Sequence, residues 1–152
     1  MIKILFICHG NICRSPMAEF IMKDIVKKAA KEVEYFISSC ATTNDEIGND
    51  TYPPAKMVLD LHHIPYTKRS ARRFVRSDYD EYDYIIVMDD ENVYDIKRLV
   101  EDKNKKIYKL MNFLGENRDV SDPWYTRNFE VAYDDIFRGC CALFKYLEKE
   151  VD

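Results

Sequence analysis

The sequence predicts an α/β protein with an open four-stranded parallel sheet and helices on both faces. Four short apolar segments indicate buried strands. They cover residues 2–7, 35–39, 84–88 and 106–110. Apolar residues recur at helical spacing at residues 16–31, 55–63 and 129–147. Strands that alternate with helices in so short a chain favour parallel crossover connections.

The first strand and the helix after it give the clearest pattern. Five of the six residues at 2–7 are apolar, and apolar residues recur at helical spacing from Met17 onward. Ser15 suits a helix cap, and Pro16 suits the first helical position. We therefore expect this helix to begin near Pro16 and to end near Lys31.

The middle of the chain alternates turns with short elements. Residues 40–54 are rich in Thr, Asn, Asp and Gly, which is typical of a loop. The short helix at 55–63 ends in His62 and His63, and we expect both to cap backbone carbonyls rather than to bind a metal.

The last part of the chain follows the same alternation. Asp89 ends the third predicted strand, and Asn92 begins the next helix region. Residues 111–120 are predicted to form a loop after the fourth strand. The final helix carries one wide apolar stripe. Cys140 and Cys141 lie on or beside that stripe, so we expect both in the core.

Composition predicts one ordinary globular domain that spans residues 1–152. Hydrophobic residues make up 47% and charged residues 33% of the 152 residues. The net charge of −4 argues against general nucleic-acid binding, which usually leaves a basic surface. The chain has no signal-peptide pattern and no apolar stretch long enough to span a bilayer, so we expect a cytoplasmic protein that does not bind membranes.

The five cysteines do not suggest a disulfide framework, because their number is odd and their spacing is irregular. A zinc site is conceivable from the histidines and two of the cysteines, but the spacing matches no usual zinc pattern. The residues concerned are Cys8, His9, Cys13, His62 and His63.

The stretch at residues 8–16 has the sequence Cys-His-Gly-Asn-Ile-Cys-Arg-Ser-Pro and joins the first strand to the first helix. Free amides at a helix start and the helix dipole favour an anion there. Gly10 permits close backbone approach, and Asn11 tolerates a left-handed conformation. A loop whose amides point inward would hold a phosphate group.

Two side chains in this stretch indicate chemistry as well as binding. A thiol such as Cys8 ionises more readily beside a helix N-terminus and a cation, and then acts as a nucleophile. Arg14 can hold two phosphate oxygens at once. Together they predict phosphoryl transfer through a cysteinyl-phosphate intermediate.

Two other interpretations of the stretch are weaker. Cys8 alone could be an ordinary buried thiol, since free cysteines are often buried. A P-loop nucleotide site requires Gly-Lys-Ser or Gly-Lys-Thr, whereas this chain has Cys13, Arg14 and Ser15.

The Cys-x5-Arg-Ser pattern resembles the phosphate loop of protein tyrosine phosphatases. The Gly-Asn pair, the second cysteine before the arginine and the Ser-Pro pair make residues 8–16 similar to the low molecular weight protein tyrosine phosphatase family. The resemblance implies that Cys8 is the nucleophile, that Arg14 binds phosphate and that Ser15 stabilises the thiolate. It also implies substrate contacts from the other loop residues, which are His9, Gly10, Asn11, Ile12, Cys13 and Ser15. No metal or other cofactor is expected, because Arg14 and the loop amides supply the positive field.

A second motif supports this resemblance. Residues 122–125 have the sequence Asp-Pro-Trp-Tyr, and the family carries an Asp-Pro-aromatic-aromatic element at this place. The resemblance implies that Asp122 is the general acid and that Trp124 and Tyr125 line the cleft. Asp122 alone would be a turn residue, and Asp119 is a weaker candidate for the acid.

Further details follow from the same resemblance. Ser39 is expected to brace the loop by a hydrogen bond to Asn11. Many relatives carry an aromatic cleft wall where this chain offers Asp45 or Glu46. The family has a similar basic element at residues 68–73, and three roles stay open for it: a structural role, a place at the pocket rim, or steering of the substrate. A reversible disulfide between Cys8 and Cys13 is expected to protect or inactivate the enzyme.

Three rival functions fit the sequence less well. Arsenate reductases of this fold use further cysteines near mid-chain, and residues 65–111 contain none. Protein-arginine phosphatases carry Thr where this chain has Ile12. An idle phosphopeptide-binding module would be expected to lack Cys8 or Asp122. The favoured substrate is therefore a tyrosine-phosphorylated protein or a small aryl phosphate, with phosphate or vanadate as an anion that binds the loop.

Overall fold

Four parallel strands form one open sheet, as the sequence predicts. The computed structural model describes the backbone of residues 1–151 and the side chains of residues 1–149. The strands are β1 (Ile2–Cys8), β2 (Tyr35–Ala41), β3 (Tyr84–Val87) and β4 (Ile107–Lys109). Their order in the sheet is β2-β1-β3-β4, and every pair is parallel.

Helices connect the strands and continue beyond them. They are α1 (Arg14–Lys28), α2 (Pro53–Leu61), α3 (Arg76–Glu81), α4 (Asp90–Lys97), α5 (Pro123–Thr126) and α6 (Phe129–Val151). Two short 3₁₀ helices occupy Glu32–Glu34 and Leu110–Leu114. Among the described residues, no helix combines the length and the apolar character needed to cross a membrane.

The central strands β1 and β3 are buried on both faces, which explains their nearly continuous apolar sequence. Alternate side chains point to opposite faces of the sheet. Ile4, Phe6 and Ile86 belong to the core formed with α1 and α6. Leu5, Ile7, Ile85 and Val87 belong to a second core with residues of α3 and α4.

The start of α1 differs from the prediction. The helix begins at Arg14 rather than Pro16, and no side chain caps it. The hydroxyl of Ser15 instead contacts the sulfur of Cys8, at 3.0 Å. The local preference of Ser for a cap is therefore overridden by a contact within the loop.

Four short elements were not predicted: α3, α5 and the 3₁₀ helices Glu32–Glu34 and Leu110–Leu114. Each is too short to repeat an apolar pattern, so periodicity cannot reveal it. In α3 the Asp78 carboxylate accepts from the backbone N–H of Val75 at 2.9 Å, and this contact fixes the first turn.

Two further predictions hold only in part. At the end of α2 the backbone N–H of His62 donates to the Val58 carbonyl at 3.2 Å and that of His63 to the Asp60 carbonyl at 3.1 Å. The His62 ring does not cap a carbonyl, because its Nε2 lies 2.9 Å from Glu130 Oε2 and the ring stacks on Tyr133. Cys140 is fully buried, but Cys141 is exposed. Adjacent residues of a helix point in directions about 100° apart, and in α6 only Cys140 lies on the side that faces the core.

The glycine within α6 has a packing reason. A Cβ atom at Gly139 would lie 2.6 Å from Leu110 Cγ. The helix can therefore approach the end of β4 closely only because no side chain is present there. This packing supports the edge of the sheet from which the loops of the candidate site begin.

Candidate active site

The loop at residues 8–16 lies at the carboxyl end of β1, where ligands bind in sheets of this type. Asn11 has a φ of 61°, in the left-handed region that asparagine tolerates. A Cβ at Gly10 would lie 3.3 Å from Glu46 Cγ, so the absence of a side chain lets residue 46 pack over the loop.

The buried side chain of Asn11 links the loop to neighbouring segments by hydrogen bonds. It is fully buried, and its Nδ2 donates to Ser15 Oγ at 2.8 Å and to Ser39 Oγ at 2.9 Å. Its Oδ1 accepts from the backbone N–H of Arg72 at 3.3 Å and from Arg69 Nη2. Both hydrogens and both lone pairs of the amide are therefore used. The predicted hydrogen bond between Ser39 and Asn11 is therefore present.

Arg69 is a site-supporting residue that the sequence did not single out. Its guanidinium contacts Asn11, and its backbone N–H donates to Asp50 Oδ1 at 3.2 Å. Burial lowers the pKa of Arg69, but an arginine remains charged at any ordinary pH. The predicted basic run thus has a structural role at Arg69, which places a permanent cation behind the loop.

Replacing Arg69 by methionine is expected to lower the free energy of unfolding by about 1–3 kcal/mol, because it removes a donor from the buried Asn11 oxygen. The loop should also loosen, with a loss in kcat/KM of about tenfold. Urea unfolding and steady-state kinetics measure the two effects. Lys68→Met is the matched control, since it removes one positive charge from an exposed neighbour. Equal effects of the two substitutions would rule out a specific role for Arg69.

Cys8 ends β1 with its sulfur surrounded by hydrogen-bond donors. Ser15 Oγ lies 3.0 Å away, and the backbone N–H of Ser15 donates to the sulfur at 3.4 Å. Ser15 Oγ also accepts from Asn11 Nδ2 at 2.8 Å, and its own hydrogen can point to the sulfur, which is a strong acceptor only when Cys8 is a thiolate. Both groups are therefore placed to donate a hydrogen bond to a sulfur that carries a negative charge.

Arg14 is the first residue of α1 and is only 2% exposed. Its Nη1 donates to Asp89 Oδ2 and to the Val120 carbonyl, each at 2.8 Å. Burial works against the charge, but the nearby Cys8, Asp89 and Asp122 outweigh it and raise the pKa of Arg14. The guanidinium is therefore charged and held in one orientation.

Asp122 faces Arg14 across the site. Its Oδ2 lies 3.5 Å from Arg14 Nη2, and its Oδ1 accepts from the backbone N–H of Trp124 at 3.0 Å, which caps α5. The carboxylate is 26% exposed, so it remains open to the pocket. Asp119, the weaker candidate for an acid, instead pairs with Lys109 at 2.8 Å.

A cavity of about 200 Å³ brings most of the predicted residues together. It is lined by Cys8, His9, Gly10, Ile12, Cys13, Arg14, Asp45, Glu46, Asp122, Trp124 and Tyr125. Asn11 and Ser15 do not line it, because both side chains are buried behind the loop.

The walls of the cavity differ in character. Trp124 and Tyr125 are 42% and 78% exposed and form an aromatic side at its mouth. On another wall, Asp45 Oδ2 lies 2.8 Å from His9 Nε2. The acidic residues noted in the sequence in place of an aromatic wall therefore do line the cavity.

Cys13 differs from Cys8 in its surroundings. Burial, together with the nearby charges of Cys8 and Asp122, raises the pKa of the Cys13 thiol. Cys13 is therefore a neutral thiol beside the site, and it is unsuited to act as the nucleophile.

Comparison with known proteins agrees with this geometry. The family model described as low molecular weight phosphotyrosine protein phosphatase matches residues 3–152. The chain belongs to this family, and the resemblance predicted from its first loop is confirmed.

Individual proteins and solved structures are also similar to this chain over nearly its whole length. The low molecular weight protein-tyrosine-phosphatase PtpA of Staphylococcus aureus is 34% identical over 154 residues, which cover 100% of this chain and 97% of PtpA. The crystal structure of YfkJ from Bacillus subtilis has a TM-score of 0.96 at 36% identity and covers 100% of this chain and 98% of that one. The low molecular weight protein tyrosine phosphatase SP-PTP from Streptococcus pyogenes has a TM-score of 0.86 at 37% identity, with 97% of this chain and 93% of that one covered.

Proposed function

We propose that this protein hydrolyses phosphotyrosine in proteins, and small aryl phosphates, through a cysteinyl-phosphate intermediate. In this proposal Cys8 is the nucleophile, Arg14 binds the phosphate group, and Asp122 is the general acid and base. The observation that carries it is that all three side chains line one cavity, with the Cys8 sulfur 3.0 Å from a hydroxyl that can stabilise its negative charge.

In the first step the Cys8 thiolate attacks phosphorus, and the bond from phosphorus to the aryl oxygen breaks. Arg14 and the loop amides hold the other phosphate oxygens and stabilise the charge that develops on them. Asp122 donates its proton to the departing oxygen, so the product leaves as a neutral phenol.

In the second step the intermediate is hydrolysed. Asp122, now a carboxylate, takes a proton from water as the water oxygen attacks phosphorus. The phosphorus–sulfur bond breaks, inorganic phosphate forms, and Cys8 returns as a thiolate. The hydrogen bond from Ser15 then stabilises that thiolate.

The lining of the cavity supports an aryl phosphate as the substrate. Ile12 is apolar, and Trp124 and Tyr125 offer aromatic surface at the mouth of the cavity. A phenyl ring between them would stack on these side chains. The proposal requires no metal ion, because the positive field around the phosphate comes from Arg14 and the loop amides.

The proposal is tested by phosphate release from a phosphotyrosyl peptide and from a phosphoarginine peptide, each with EDTA present. We expect full turnover of the phosphotyrosyl peptide in EDTA and a far lower kcat/KM for phosphoarginine. Preference for phosphoarginine would move the assignment to that substrate class. Vanadate binding without turnover of either peptide would favour a binding module.

We also expect mild peroxide to join Cys8 and Cys13 in a disulfide. Peroxide first oxidises the Cys8 thiolate to a sulfenic acid, and the Cys13 thiol then displaces water to form the disulfide. Peptide mass mapping should find the two peptides joined, and dithiothreitol should restore activity. In a Cys13→Ser variant the same treatment should inactivate irreversibly. If the two peptides remain separate in the wild type, the disulfide hypothesis fails.

A further inference from the structure

The segment that carries Asp122 has no regular secondary structure. It comprises residues 115–122, between the 3₁₀ helix Leu110–Leu114 and α5, and is called the acid segment below. Asp122 caps the short helix α5, but no helix or strand orders the rest of the segment, so the position of Asp122 also depends on contacts with other parts of the protein.

Asp119 attaches the acid segment to the sheet. Its Oδ1 lies 2.8 Å from Lys109 Nζ and accepts from the backbone N–H of Asp90 at 3.1 Å. Lys109 ends β4, its side chain is only 9% exposed, and its second partner is the Asp90 carboxylate at 3.0 Å. An ammonium group buried to this degree requires charged partners, so the two aspartates are held to it.

Asp90 and Asp119 are each next in sequence to a residue that accepts a hydrogen bond from Arg14. Asp90 follows Asp89, whose Oδ2 accepts from Arg14 Nη1 at 2.8 Å. Asp119 precedes Val120, whose carbonyl accepts from the same nitrogen at 2.8 Å.

Val120 completes the attachment of the segment. It is buried, and its backbone N–H donates to the Met88 carbonyl at 2.9 Å, next to the end of β3. Short contacts therefore link Lys109 to the residues next to both groups that accept from Arg14 Nη1, and Asp122 lies two residues after Val120.

We propose that Lys109, Asp90 and Asp119 form a clamp that positions Asp122 relative to Arg14, and hence relative to the leaving oxygen of a phosphate group held there. The inference rests on the proposed function, in which Asp122 protonates that oxygen. Lys109 and Asp119 touch neither substrate nor sulfur, so they are positioning residues. Proton transfer requires hydrogen-bond reach, and a misplacement of about 1 Å can reduce the rate about 100-fold.

The clamp predicts a loss that depends on the leaving group. A poor leaving group such as phenolate needs the proton from Asp122, whereas dinitrophenolate departs without it. Asp119→Ala should lower kcat/KM for phenyl phosphate by about 10–100-fold, and for 2,4-dinitrophenyl phosphate by less than about threefold. Competitive inhibition by inorganic phosphate should change less than about twofold, because Arg14 and the loop remain in place.

Three further variants define the experiment. Lys109→Met should show the same selective loss, and the double variant should lose no more than either single one, because both act through one contact. Glu116→Ala is the matched control: Glu116 lies in the acid segment, but its carboxylate pairs with Arg118 at 2.7 Å and with Arg138 of α6 at 3.4 Å, and not with β4 or α4. Its kinetics should remain those of the wild type.

Asp122→Ala, measured in parallel, distinguishes failure of the clamp from failure of the proposed acid role of Asp122. A selective loss in Asp122→Ala but not in Asp119→Ala would overturn the clamp and leave the proposed function intact. Equal losses on both substrates in Asp119→Ala would also overturn the clamp, since they indicate general structural damage. No selective loss in Asp122→Ala would remove the acid role itself.

Discussion

Replacing Cys8 by serine is expected to lower kcat/KM for a phosphotyrosyl peptide by at least about 10⁴-fold. The groups near the sulfur are the hydroxyl and the backbone N–H of Ser15. As donors they can stabilise a negative charge on sulfur, but they cannot remove a proton from a serine hydroxyl. Phosphate release by the purified variant, followed over hours, measures the loss.

The substitution should leave the binding site intact. Vanadate binding to Cys8→Ser should therefore remain measurable, because Arg14 and the loop backbone are unchanged. Cys141→Ser is the control, since Cys141 is an exposed cysteine in α6. Substantial turnover by Cys8→Ser would exclude Cys8 as the nucleophile, whereas loss of both turnover and binding would indicate a damaged loop.

The second large effect is expected at Arg14. Arg14→Lys should lower kcat/KM by about 10³-fold, although the charge is retained. The guanidinium serves Asp89 and the Val120 carbonyl through one nitrogen and faces Asp122 with another. A single ammonium group cannot keep these contacts and also hold two phosphate oxygens.

Kinetics and inhibition by inorganic phosphate distinguish the causes of this loss. We expect phosphate to bind Arg14→Lys more weakly than the wild type, with the larger effect on kcat. Arg73→Lys is the control, because Arg73 is exposed and does not line the cavity. A kcat/KM within about tenfold of the wild type would mean that Arg14 does not supply the main stabilisation of charge.

The sequence predicts the sheet and the position of the loop at residues 8–16 well, because both are encoded locally. Strands buried on two faces require continuous apolar runs, and the loop residues are contiguous from Cys8 to Pro16. Asp122 could be proposed only through resemblance, because Asp-Pro alone is ordinary turn chemistry. Its approach to Arg14 depends on a contact between residues 108 positions apart.

The supporting residues of the site could not be predicted from local patterns. Arg69 reaches Asn11 over 58 positions, and Asp89 reaches Arg14 over 75. A basic run and a strand-ending aspartate are compatible with many roles, and only the folded chain selects one. The contact of Ser15 with the Cys8 sulfur likewise replaces a local capping preference with a nonlocal requirement.

The covalent intermediate can be observed most directly in Asp122→Ala. With 2,4-dinitrophenyl phosphate the first step needs no acid, but the hydrolysis of the intermediate lacks its base, so the intermediate should accumulate. Rapid acid quenching followed by peptide mass spectrometry should find one phosphoryl group on the peptide that contains Cys8. A phosphoryl group on another residue, or release of dinitrophenolate with no phosphorylated peptide at any time, would exclude the cysteinyl-phosphate mechanism.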